Sequence, residues 1–364
     1  MRRWLQWIGL TIILLAVGAT AALLLYRNIA GRQLQAETAP QGPDRIEELF
    51  SVRIHGTKEW ILLRGHNRHD PAILFLNGGP GDSGIGFARL FGVLTGLERE
   101  MVVATWDQPN TGKSEDLPPA QRQISRYVND ACEVARIVMQ RLGTDHVYLA
   151  GASWGSFLGI LAAAHCSDRI AGFFGFGQLV NAEQADEMGH LLLREQAIRR
   201  HDTKALQTLD SLGSPPWTRD QVLRQHDIAN TYGGMSQKYR HPPLKAFLAP
   251  EFSSFELIRS FSKGQSIGEA LWPELHHLDL NEVVPALPVP VFFLEGRFDM
   301  VTPPGVARHY FDRLSAPRKE WIWFEHSAHA VLPDEPEKTG MVIRNGVREI
   351  EAQRRASLTA EKSR

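Results

Sequence analysis

Five short apolar runs constrain this chain more than any other feature: AILFL at 72–76, MVVATW at 101–106, VYLA at 147–150, IAGFFGF at 170–176 and VFFL at 291–294. A continuous apolar run of that length suits a strand buried on both faces rather than one with a wet side. Helical patterns separate the runs. The clearest is at 128–142, where Val128, Ala131, Val134, Ala135 and Val138 recur at helical spacing. Two further strands are expected at 50–54 and 60–64, with His55-Gly56 turning between them, and a last one at 320–324. Strands alternating with helices predict an α/β fold, with a mostly parallel sheet flanked by helices.

The interval 181–280 breaks the alternation. It has no convincing strand, carries the polar helical run LLLREQAIRR at 191–200, and is interrupted at Pro215-Pro216, Gly233-Gly234 and Pro242-Pro243. It reads as a helical lid inserted into the core. The expected organisation is therefore core at 45–180, lid at 181–280, core again at 281–352 and a polar tail at 353–364.

The first stretch differs in kind. Residues 4–26, WLQWIGLTIILLAVGATAALLLY, carry no charge. At a rise of about 1.5 Å per residue they are long enough to cross a hydrocarbon core of about 30 Å. Trp4, Trp7 and Tyr26 stand at the ends, as interfacial aromatics do. This predicts an N-terminal transmembrane anchor at 1–30 and a polar linker at 31–44. The protein would be single-pass, with its catalytic domain on the periplasmic or extracellular side. The competing reading is a cleaved signal peptide with Ala19-Thr20-Ala21 as its cleavage site, although Leu23-Leu24-Leu25 carries the apolar run past it.

The formal net charge of −1 gives no field-scale attraction to nucleic acid. Two cysteines are present, Cys132 and Cys166. Placed near the start of one helix and the end of the next, with those helices parallel, they are expected too far apart to pair and read as buried free thiols.

The chemistry concentrates at strand ends. VYLA leads into Gly151-Ala152-Ser153-Trp154-Gly155, and a small-residue helical run follows. In that strand–turn–helix context G-x-S-x-G holds Ser153 exposed at a sharp turn. A serine alcohol needs a base, an orienting carboxylate and donors for an oxyanion. Asp299 follows VFFL within five residues and is the candidate carboxylate. His329 and His326 both follow the last strand, with His329 the better placed to reach back. The oxyanion donors are expected to be the backbone N–H groups of Trp154 and of Gly79, in the loop Asn77-Gly78-Gly79-Pro80-Gly81. Such a site calls for no metal and no organic cofactor.

These motifs resemble the proline iminopeptidase family of the α/β-hydrolase fold over roughly residues 45–340. Asn77 to Gly81 is similar to its HGGPG signature, with Asn77 in place of histidine. Trp106-Asp107-Gln108 and Thr111-Gly112-Lys113-Ser114 resemble its WDQRGxGxS stretch, with Pro109-Asn110 as a departure. Gly151 to Gly155 resembles its GxSWG elbow, and Gly296 to Asp299 with Thr302-Pro303 its GRYDxxTP segment. The resemblance implies an aminopeptidase that releases an N-terminal residue, often proline, through an acyl-enzyme on Ser153, with His329 as base and Asp299 orienting it. The family's W-x-x-W-E lid motif, whose glutamate helps bind the substrate's ammonium, is absent. Glu183 and Glu187, spaced i, i+4, are the expected substitutes. The rival readings are a carboxylesterase or lactonase acting on small apolar acyl substrates, and an inactive hydrolase-like binding protein. The expected partner is a small peptide or ester substrate.

Overall fold

The computed structural model describes residues 2–240 and 248–362. In chain order the elements are α1 (Arg2–Glu37), β1 (Ile46–Ile54), β2 (Thr57–Gly65), β3 (Ala72–Leu76), α2 (Ile85–Thr95), β4 (Val102–Asp107), α3 (Ile124–Leu142), β5 (Val147–Ala152), α4 (Trp154–His165) and β6 (Ile170–Phe176). There follow α5 (Ala182–Arg199), α6 (Thr203–Ser211), α7 (Arg219–Tyr232), α8 (Ser254–His277), α9 (Leu280–Val283), β7 (Val291–Gly296), α10 (Pro304–Arg313), β8 (Lys319–Phe324), α11 (Val331–Asp334) and α12 (Pro336–Lys362).

The eight strands form one sheet in the order β1-β2-β4-β3-β5-β6-β7-β8. β1 and β2 pair antiparallel, as do β2 and β4, and every later pairing is parallel. Strand alternation divides the apolar residues between two cores. Leu74, Leu76, Leu149 and Phe293 face one side, with α3, α4 and α10. Ile73, Tyr148, Phe174 and Phe292 face the other, where Ile343, Val347 and Ile350 of α12 cover them. Burial on both faces explains why these strands show unbroken apolar runs instead of alternation.

β3 sits between β4 and β5. The chain therefore leaves β3 toward one side of the sheet and reaches β5 on the other. Loops at such a reversal diverge and open a crevice at the carboxyl ends of the strands. Here the two loops are the one holding Asn77 to Gly81 and the one holding Ser153.

The helices between β6 and β7 leave and return side by side. Asn181 bridges to Asp279, and its Nδ2 donates to Asp279 Oδ2 at 3.1 Å. They have a small core of their own, built from Leu193, Leu209, Trp217, Val222 and Ala229. Pro242-Pro243, one of the expected interruptions, lie outside the described residues.

Two expectations are corrected. Among the described residues no helix is long and apolar enough to cross a membrane. That overturns the N-terminal transmembrane helix, and with it the single-pass location and the membrane partnership. The run is also not a separate element, because α1 extends well past it. The helix does not stop at Tyr26 but continues to Glu37 along the flank of the domain. Arg27 donates to Ser254 Oγ at 3.0 Å and to the Phe252 carbonyl at 2.7 Å. The Gly31 backbone lies against Leu248, and the Thr38 carbonyl just beyond the helix accepts from buried Arg64 at 2.6 Å.

The cysteines are not free thiols. Cys132 and Cys166 form a disulfide with Cα atoms 6.0 Å apart. α3 begins at Ile124 rather than near Val128, so Cys132 lies more than two turns along it, level with the end of α4. The bridge closes a loop with a sequence separation of 34. Replacing both cysteines by serine is expected to cost about 2–4 kcal/mol, read from the urea midpoint at unchanged slope.

Candidate active site

β5 ends at Ala152 and α4 begins at Trp154, which leaves Ser153 alone in the turn. Its backbone has φ 54° and ψ −121°, a region that non-glycine residues avoid at a cost of about 1–3 kcal/mol. The surroundings hold it there. Ser153 N–H donates to the Phe176 carbonyl at 3.0 Å, and Ser156 Oγ donates to the Ser153 carbonyl at 2.6 Å. The flanking glycines are required by close approach. A Cβ at Gly155 would stand 2.0 Å from the Leu76 carbonyl oxygen, and one at Gly151 would stand 2.2 Å from the Gly155 oxygen. The contact at Gly155 is backbone on backbone, so Gly155→Ala cannot be absorbed by a rotamer change. It is expected to destabilise the protein by about 3 kcal/mol or more, measured by urea unfolding.

The three neighbouring motifs are wired together through Gln108, just beyond β4. Trp154 Nε1 donates to Gln108 Oε1 at 2.9 Å, and Gln108 Nε2 donates to the Asn77 carbonyl at 3.3 Å. Trp154 and Gln108 are both buried. One amide side chain thus fixes the glycine loop against the start of α4. Gly78 lies beside Ser153: the position a Cβ would occupy there is 3.6 Å from Ser153 Cβ. Asp107 anchors the same region from below. It is buried and accepts from Ser83 Oγ at 2.7 Å, from Ile85 N–H at 3.1 Å and from Lys113 N–H at 2.9 Å.

Asp299 follows β7 and is buried. Its Oδ1 accepts from the N–H groups of Val301 and Thr302 at 2.8 and 2.9 Å. Its Oδ2 accepts from Thr302 Oγ1 at 2.9 Å and meets His329 Nδ1 at 2.9 Å. The structure therefore brings together His329 and Asp299. His326 is exposed, and its N–H donates to Glu335 Oε2 at 3.0 Å. The loop turns back after β8 because Ala328 N–H donates to Asp334 Oδ2 at 3.1 Å and Ser327 Oγ to Glu335 Oε2 at 2.7 Å.

β6 connects the two halves of the site. Phe176 receives the Ser153 N–H, and the next residue, Gly177, has φ +49° and faces the imidazole. A Cβ there would stand 2.9 Å from His329 Nδ1. Gly177→Ala is expected to displace the ring and lower kcat by about 10²-fold with KM less affected, as steady-state kinetics would show.

Several residues of the site carry no sequence signal that marks them. Glu295, near the end of β7, is fully buried, with Oε1 accepting from Gln178 N–H at 3.0 Å. Burial, and after it the charge of Asp299, hold its carboxyl well above the ordinary range. Gly234, read from sequence as a helix break, accepts from Met300 N–H at 3.2 Å and from His329 N–H at 3.4 Å. The turn after α7 is thereby stitched to the residues on either side of the His329–Asp299 contact.

α7 also carries His226 and Arg219 toward the same cluster. Desolvation, then the charge of His329, hold the His226 imidazole down to about 4, so it is uncharged at pH 7. Asp82, just past the glycine loop, is exposed. Desolvation by the protein around it raises its carboxyl above the ordinary range, against the charges of Arg219 and His329. Glu183 and Glu187 are placed differently. Glu187 is exposed and Glu183 half-buried. Among the described residues no hydrogen bond or ion pair joins either to Ser153, Asp299 or His329. The buried acid of that turn is Asp186, whose Oδ2 lies 3.0 Å from His276 Nε2. Among the described residues no group of three or more His, Cys, Asp or Glu side chains is arranged to hold a metal ion.

The strained Ser153 turn after β5 and the His329 paired with buried Asp299 lie on loops that follow strands of one sheet. Residues 71–336 match the alpha/beta hydrolase fold family, and the chain belongs to that family. It is a hydrolase of that fold. It is 27% identical over 298 residues to a Bacillus subtilis protein named probable aminopeptidase YbaC, covering 80% of this chain and 93% of that one. It is 26% identical over 281 residues to a proline iminopeptidase of Levilactobacillus brevis, covering 72% and 84%. The crystal structure of a Mycobacterium smegmatis proline iminopeptidase superposes with a TM-score of 0.63 at 16% identity, covering 84% of this chain and 99% of that one.

Proposed function

We propose that this protein is a serine aminopeptidase resembling proline iminopeptidases, which releases an N-terminal residue from a small peptide. Ser153 Oγ attacks the carbonyl of that residue. His329 takes the serine proton and passes it to the leaving amine, so the peptide C–N bond breaks as an ester to Ser153 forms. Asp299 holds the imidazole by Nδ1 and stabilises its charged form. The N–H groups of Gly79 and Trp154 receive the oxyanion, and water, deprotonated by His329, then hydrolyses the ester.

One observation carries this reading: the 2.9 Å contact of His329 Nδ1 with buried Asp299, reached across Gly177 from the strained Ser153 turn. Support for a peptidase comes from the relatives named as aminopeptidase and proline iminopeptidase. The test compares prolyl and alanyl arylamides with their N-acetylated forms and with uncharged aryl esters. An aminopeptidase turns over the free-amine arylamides and rejects the acetylated ones. Equal turnover of free and acetylated substrates makes the protein an esterase or lactonase instead.

A further inference from the structure

A hydrolase that accepts only free N-termini must pair the substrate's ammonium close to the carbon it attacks, because a cation held there without a partner would be bound weakly. The expected carboxylates, Glu183 and Glu187, have no described contact with the site. A different carboxylate stands beside the nucleophile. The position a Cβ would take on Gly78 is 3.6 Å from Ser153 Cβ and also 3.6 Å from Asp82 Oδ2. Ser153 Cβ and Asp82 Oδ2 are therefore at most about 7 Å apart, both beside a residue 78 that carries no side chain.

The span suits an N-terminal residue. In an acyl group on Ser153 the α-nitrogen lies four bonds from the serine Cβ, roughly 4–5 Å away at ordinary bond lengths. A hydrogen bond of about 2.8 Å from that nitrogen then covers the remaining distance. Asp82 is also unengaged: among the described residues its carboxylate has no hydrogen-bond or ion-pair partner. Arg219, the nearby cation on α7, is instead paired with Glu269 at 3.4 Å. The backbone around Asp82 is held firmly, with Gly81 packed directly on the backbone of Gly264 in α8.

We infer that Asp82 is the residue that binds the substrate's α-ammonium and so restricts the enzyme to free N-termini. The inference rests on the aminopeptidase reading above and adds to it the group that sets the specificity. Asp82 lies on the same loop as the oxyanion donor Gly79, so one segment would orient both ends of the scissile residue. The glutamates of the helical insertion would then be unnecessary for this task.

The test measures kcat/KM for alanyl p-nitroanilide and for its N-acetylated form, in the full-length protein and in Asp82→Asn and Asp82→Glu. The ratio of the two values is the readout. Asp82→Asn is expected to reduce the preference for the free amine by about 30-fold or more, chiefly through KM. Asp82→Glu, which restores the charge on a longer arm, is expected to recover part of it. A merely structural role would lower both substrates alike and leave the ratio unmoved, which overturns the inference. If the unsubstituted enzyme prefers the free amine and Asp82→Asn keeps that preference, the inference fails while the aminopeptidase reading stands. If the unsubstituted enzyme shows no preference, both fail together.

Discussion

Ser153→Ala is expected to lower kcat by at least about 10³-fold on any acyl substrate, with the urea midpoint little changed. The size of the effect follows from covalent catalysis: without Oγ no acyl-enzyme can form, and only oxyanion stabilisation and binding remain. The fold should survive, because the backbone bonds that hold the turn come from Ser153 N–H and its carbonyl, not from its side chain. Alanine at a positive φ adds no bulk over serine. Labelling by a fluorophosphonate should vanish in the variant. Retention of more than a tenth of the activity would sink the assignment of the nucleophile.

The histidines should divide sharply. His329→Ala is expected to abolish fluorophosphonate labelling and to cost about 10³-fold or more in kcat, since its imidazole is the group paired with Asp299 at 2.9 Å. His326→Ala should stay within about threefold of the parent enzyme, because an exposed side chain whose loop is held through backbone N–H and Glu335 contributes little. The opposite pattern would move the base to His326.

The two histidines show how far loop length carries. They follow β8 by different distances on one loop, and the longer reach favours His329. The direction of the loop is set by Asp334 and Glu335, which pull Ser327 and Ala328 back toward α11. Those contacts depend on how the chain continues after the histidines. Loop reach from the strand thus favours His329 as the candidate base, and the structure adds its contact with Asp299.

The same division holds for the corrections. An uncharged run of membrane-spanning length has one appearance whether it enters a bilayer or begins a longer helix. What the structure adds is that the helix continues past the run and that Arg27 is bound by Phe252 and Ser254, more than two hundred residues away. For the cysteines, a helix boundary displaced by four residues moved Cys132 by about one turn. That shift separates an expected gap from a 6.0 Å pairing.

By itself the sequence determined the layering, the central strands and the turn that holds Ser153. The limits of β3 and β6 coincide with the runs 72–76 and 170–176 because burial on both faces excludes polar residues from every position between the strand ends. The turn was legible because a Cβ at Gly155 or Gly151 would stand only 2.0 or 2.2 Å from a backbone oxygen, so the steric demand is written directly as residue type. The tertiary structure alone decided which distant groups come together: Gln108 between Trp154 and Asn77, Gly234 against the His329 loop, buried Glu295 near Asp299, and Asp82 near Ser153. In sequence these are ordinary polar or turn residues. Their roles come from the sheet order, which places β3 beside β5, and from helices that fold back over the strand ends, and neither is a property of any local segment.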